Sequence, residues 1–198
     1  VCPVDEQMLP LKGKERFIDC DCLILSAGLI PENELSEQAG VEIDKTTRGP
    51  VVDENFATSV SGIFACGNVV TVYDLVDYVT YSGETAGRGA ALYAKGQLPP
   101  PDPFYCIPGQ NCSFIVPQKI TPRRVTGDVS LYLRVQETVK PARIEVKAVG
   151  EILASRREKI VKPPEMVVMK LTGEQLRNLS ADSGITIDIS QIAEKRRR

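Results

Sequence analysis

The apolar positions of this chain fall into two regimes. Between Ile18 and Gly28 they form a continuous run, Cys22-Leu23-Ile24-Leu25, the pattern of a strand buried on both faces. A second short run, Gly62 to Ala65, reads the same way and ends in a small-residue turn at Cys66-Gly67-Asn68. Beyond about residue 112 the pattern changes to strict alternation, clearest in Val129–Val135 and Ala142–Ala148. Further strands are expected at Ser113–Val116, Glu151–Ala154, Lys159–Val161, Met166–Leu171 and Ile185–Ile189, with a hairpin turn at Val149-Gly150. About seven short strands at this spacing predict an antiparallel sandwich or barrel. Helical patterns are expected at Glu34–Ala39, over Asp74–Lys95, and near Leu176–Leu179, where Thr172 and Gln175 have capping-box spacing. Val1–Phe17 reads as a hairpin turning near Lys12-Gly13.

Pro-rich Leu98–Pro103 opens a linker. The expected organisation is 1–97, an α/β unit; 98–112, the linker; and 113–198, an all-β unit. Charge supports the division. Residues 1–112 carry 7 Lys/Arg against 16 Asp/Glu, a net of −9, and residues 113–198 carry 17 against 10, a net of +7. The basic charges of the second half alternate with apolar residues, as on a solvated sheet face, so no nucleic-acid partner is expected. The closing Lys195–Arg198 run reads as a tail.

The chain has no histidine, which removes His-based triads, His metal ligands and the commonest general base. Six cysteines stand at 2, 20, 22, 66, 106 and 112 in no zinc spacing. They are expected to be reduced and mostly buried, with no metal, although a disulfide between Cys106 and Cys112 is sterically possible. No apolar run approaches the ~20 residues a membrane span needs. The opening residues lack a signal-peptide pattern, and a cytoplasmic protein is expected.

Two motifs carry chemistry. The first is Thr58-Ser59-Val60-Ser61-Gly62-Ile63-Phe64-Ala65-Cys66-Gly67-Asn68. It resembles the second flavin-binding motif of the FAD/NAD(P)-dependent pyridine-nucleotide oxidoreductases. The second is Asp21, Leu23, Ile24, Ala27, Gly28, Pro31 and Asn33, similar to the segment where those enzymes cross from the NAD(P) domain back to the FAD domain. The resemblance covers residues 18–97. It implies a Rossmann-like α/β fold, FAD and NAD(P) as cofactors, and hydride transfer between nicotinamide and flavin. It further implies that Gly67 admits the cofactor closely and that Asn68 takes the place of an aspartate bonded to the ribitol. Val76, Asp77 and Tyr78 would start the helix facing the flavin pyrimidine edge, with Asp77 as a possible cap.

No catalytic side chain is implied. The glycine-rich loop that precedes these motifs in the family is absent here, so the chain reads as the back part of a flavoenzyme, inactive alone. Gly83, Gly87 and Gly89 suggest close packing on one face of the long helix. The expected partners are another subunit of a dehydrogenase complex or a second copy. The alternative is that the β half is a docking or oligomerisation module without catalytic role.

Overall fold

The structure is a computed structural model that describes all residues except 8, 26–27, 180–183 and 193–198. In chain order it contains α1 (Glu34–Gln38), α2 (Val76–Ala94), β1 (Phe104–Pro108), β2 (Cys112–Val116), β3 (Lys119–Ile120), β4 (Val129–Val135), β5 (Ala142–Ala148), β6 (Glu151–Glu158), β7 (Val167–Leu171), α3 (Gly173–Arg177) and β8 (Ile185–Gln191). Short 3₁₀ turns lie at Gly67–Val69 and Pro122–Arg124.

Alternation in the second half produces the strands it predicts, because each inward residue finds a facing sheet. On β4, Leu131, Leu133 and Val135 enter a core shared with Ile144 and Val146 of β5, Met169 and Leu171 of β7, and Ile185, Ile187 and Ile189 of β8. Two sheets surround this core, one ordered β3-β1-β8-β5-β6 and the other β2-β4-β7. The expectation of a wholly antiparallel arrangement is corrected at one pair: β1 and β8 run parallel, Cys106 beside Ile185. The fold is therefore α/β with a mixed sheet and an antiparallel one.

The Val149-Gly150 hairpin forms, with both residues at positive φ, the geometry that suits the right-handed twist of paired strands. Thr172 and Gln175 make the reciprocal capping box at the start of α3. Several elements differ from expectation. Phe104–Pro108, inside the stretch read as linker, is a strand with Phe104 and Cys106 buried. Lys159–Val161 contributes a single bridge, Val161 to Val139, while β6 runs on to Glu158. The first 17 residues make the expected turn at Lys12-Gly13, with Gly13 at positive φ, and a further turn near Glu6-Gln7 beside a bridge between Val4 and Pro10.

The double-sided strand expected over Ile18–Gly28 does not form among the described residues. Ala27 of the crossing signature lies outside them, as does the Lys195–Arg198 run. Leu23, Ile24 and Leu25 are 74%, 86% and 81% exposed. A strand buried on both faces requires flanking strands to bond its backbone and layers to cover it. No described strand stands beside this one.

Three-stranded sheet β2-β4-β7 is covered on both faces. Its second face carries Phe114, Val116 and Tyr132 into a smaller core with Val52, Phe56, Ala65, Val70, Tyr73 and Ala86. The segment before the Pro-rich stretch and the β half thus share buried apolar surface. Polar groups join them as well. Arg124 pairs with Asp53 at 2.7 Å and donates from Nε to the Pro99 carbonyl, and the Thr121 amide donates to Glu54 Oε2 at 2.7 Å.

Candidate cofactor site

Gly62–Ala65 is not a sheet strand but the return arm of a tight hairpin. Ala57 bridges Phe64, and Gly62 sits in the turn at positive φ. The arm delivers the chain to Gly67, which is buried with φ +67°, a conformation that favours glycine. The Gly67 amide donates to Ser82 Oγ at 2.9 Å, and that hydroxyl donates to the Val79 carbonyl at 2.7 Å. The turn is therefore tied to α2 at Ser82, in the second turn of the helix. Asn68 is exposed, and its Oδ1 accepts the Tyr73 amide at 3.2 Å. Its side-chain amide has no partner among the described residues.

Val76, Asp77 and Tyr78 form the first turn of α2, as expected. Val76 and Asp77 are exposed, and no side chain caps the helix, which corrects the capping role considered for Asp77. The amides of residues 76 and 77 are left without backbone partners, as at any helix start. Tyr78 is half-buried, its ring 6.5 Å from Tyr73 and 5.3 Å from Tyr132. Of the glycines on α2, Gly89 packs against Asn55 and Phe64, where a Cβ would come within 2.8 Å of the Asn55 carbonyl oxygen. Gly83 and Gly87 face open space, so only one of the three close approaches is realised.

The two motifs meet through Asn33. This side chain is buried, and its amide donates to the Arg48 carbonyl at 2.8 Å and the Val69 carbonyl at 2.9 Å. Gly49 touches the same place: a Cβ there would lie 1.9 Å from the Val70 carbonyl oxygen. The crossing segment, the hairpin bridged by Ile43 and Pro50, and the Gly67 turn are thereby fastened into one unit.

Residues 4–84 match the family described as pyridine nucleotide-disulphide oxidoreductase. This region is similar to a segment of that family. Among curated relatives, the mitochondrial dihydrolipoyl dehydrogenase of Caenorhabditis elegans is 42% identical over 59 residues, covering 29% of this chain and 12% of the relative. The ferredoxin–NAD(+) reductase subunit of the benzene 1,2-dioxygenase system of Pseudomonas putida is 47% identical over 56 residues, 28% and 13% of the two chains. The dihydrolipoyl dehydrogenase of Bacillus subtilis (strain 168) is 33% identical over 84 residues, 41% and 17%. The chain spans less than a fifth of the length of these relatives. No solved structure matches it. FAD and NAD(P) are the cofactors of this oxidoreductase family.

The sequence pattern does not reveal the polar groups that the segment matching this family shares with the β half. Asp53 and Glu54 are buried side by side with one guanidinium, Arg124. Burial raises both carboxyls. Arg124 and the Asn55 and Ala57 amides oppose that rise at Asp53. Glu54 is pushed up to about 8 by burial and by the neighbouring charge of Asp53. The only signal in the sequence was an acidic pair in a hydrophobic run, Val51-Val52-Asp53-Glu54. The cysteines also differ from expectation: Cys106 and Cys112 are buried, but Cys20, Cys22 and Cys66 are exposed, and all six are free. Among the described residues no group of three His, Cys, Asp or Glu could hold a metal, and no helix is long and apolar enough to cross a membrane.

Proposed function

We propose that this chain is the C-terminal portion of a flavin-dependent NAD(P) oxidoreductase, in which a hydride passes between nicotinamide and FAD and electrons continue to an acceptor or a partner subunit. The observation that carries the reading is the juxtaposition of the Gly67–Asn68 turn with the uncapped start of α2, inside the segment that matches the family. The residues fit the group. Free amides at residues 76 and 77 suit the electron-rich edge of a reduced flavin, which the helix dipole also favours. Asn68 has a spare, exposed side-chain amide that can donate to a hydroxyl. FAD supplies the hydride chemistry when bound; Gly67, Asn68, Val76, Asp77 and Tyr78 would hold and orient it.

The chain alone should be inactive and colourless, since the residues proposed here meet only one side of the cofactor. Stoichiometric flavin absorbance in the purified chain contradicts that part. In the full-length enzyme, Asn68→Ala should weaken FAD binding by about 0.5–1.5 kcal/mol, the usual net worth of a neutral hydrogen bond. Asn68→Asp should keep or tighten it. Titration of the apoprotein measures both, and the site assignment fails if Asn68→Ala and Gly67→Val each leave affinity unchanged.

A second reading rests on the basic half: edge strand β6 presents Arg157 to solvent and Lys159 follows it, a surface suited to an acidic partner subunit or a second copy. Reversing both charges should weaken complex formation with flavin content intact; loss of flavin instead would argue against a separate docking role. A stable proteolytic piece released by cutting between Gly96 and Phe104 would support the proposed division of the chain into 1–97 and 113–198.

A further inference from the structure

The loop between the Gly67 turn and α2 is held from outside its own segment. Asp74 lies one residue ahead of the N-cap Leu75, within reach of a helix start, yet no side chain caps α2. Its Oδ1 instead accepts from Arg134 Nη2 at 2.5 Å, and its Oδ2 accepts the Met166 amide at 2.5 Å. The same Nη2 donates to the Val72 carbonyl at 3.1 Å, and Nη1 donates to the Pro164 carbonyl. Arg134 stands on β4, and Met166 immediately precedes β7, its neighbour in the three-stranded sheet. One planar guanidinium therefore ties the loop before α2 to two places in the β half, a task its forked donors suit.

The aromatic contacts point the same way. Tyr132 is two residues before Arg134 and so lies on the same face of β4. Its ring meets Tyr73 at 5.1 Å and Tyr78 at 5.3 Å, both edge-on. One strand face thus fixes the loop by charge and the first helical turn by packing. The charge contact has a further consequence. A carboxylate this close to a helix start is attracted to its free amides. While Arg134 and the Met166 amide hold Asp74, those amides stay open.

We propose that Arg134 is a positioning residue for the flavin site: by clamping Asp74 to the β half it sets the loop before α2 and keeps the first amides of the helix available to the cofactor. The inference rests on the reading of the segment as a flavin site, and it gives the β half a part in tuning that site.

Two measurements test it. In this chain, Arg134→Met should speed hydrogen exchange at the Tyr73, Tyr78 and Val79 amides at least tenfold, with the β4 amides unchanged. In the flavin-loaded full-length oxidoreductase, the same variant should shift the reduced-to-oxidised flavin ratio tenfold toward oxidised at a fixed potential, about 30 mV for a two-electron couple. Arg134→Lys should fall between, and adding Asp74→Ala to Arg134→Met should recover much of the potential by removing the competing carboxylate. A purely structural role predicts no such recovery. Unchanged exchange overturns the clamp, and faster exchange with a reduced-to-oxidised ratio within twofold of wild type overturns its role at the flavin. If Arg134→Met does not fold, Arg134→Lys carries both measurements. A wild-type enzyme without flavin sinks the underlying reading, whereas a flavin-loaded wild type with an unaffected variant sinks only the clamp.

Discussion

Strand β4 and the run Ile18–Leu25 are comparably apolar, yet they meet opposite fates. Leu131 and Leu133 are fully buried, while Leu23, Ile24 and Leu25 are exposed. The difference is company. β4 pairs with β2 on one side and β7 on the other, and both of its faces are covered, one by the five-stranded sheet and one by residues 52–86 of the first half. Ile18–Leu25 has no described strand to pair with. Hydrophobicity states that a stretch is meant to be buried; it does not supply the surface that buries it. Between these extremes stands the joint near Asp53, where two segments of opposite net charge meet in a buried polar cluster.

The joint offers the largest test. Arg124→Met leaves Asp53 buried without its partner, a change that costs about 3–5 kcal/mol when a buried pair is broken. Urea unfolding of the chain measures it, and a loss below about 1 kcal/mol would mean that the shared apolar core alone holds the halves together.

The same joint should respond to pH. Glu54 faces Asp53 and Arg124, and Cys106 is near enough to feel its charge. Its folded pKa is about 8, above the ordinary 4.5, so the folded state favours the protonated acid. That contribution is complete below pH 4.5 and is lost as pH rises through 8. Stability should therefore decline between about pH 5 and 8, and Glu54→Gln should flatten that decline. An unchanged slope in the variant would assign the dependence to another group.

The comparison of the two apolar stretches gives a further contrast. Leu133→Ala should cost about 2–5 kcal/mol, because a cavity opens in a two-sided core. Ile24→Ala should change the stability of this chain by no more than about 0.5 kcal/mol, as at an exposed position. Equal costs would show that the Ile18–Leu25 run is covered in solution.

The smallest effect concerns the thiols and leaves stability alone. Burial pushes Cys112 up to about 12 and raises Cys106 further. Both should resist a thiol reagent in the native chain, whereas Cys20, Cys22 and Cys66 react. Early labelling of Cys106 would mean that β1 opens readily.

By itself the sequence determined what depends on neighbours along the chain. Alternation from Val129 to Val135 and from Ala142 to Ala148 named two strands to the residue, since the period-2 pattern is a local property. The Val149-Gly150 turn, the capping box at Thr172 and the adjacency of the Gly67–Asn68 turn to the α2 start are equally local. Tertiary structure decided the rest. The parallel β1–β8 pair joins residues some 80 apart, and no periodicity encodes such a partner. Asp74 opens the stretch that reads along the chain as a helix, but Arg134 reaches it from 60 residues away. Asp53 and Glu54 follow two valines in the sequence, and only the fold brings Arg124 and the Thr121 amide to them. Charge and hydrogen-bonding capacity are written in each residue, but which group answers them is settled only when distant strands pack.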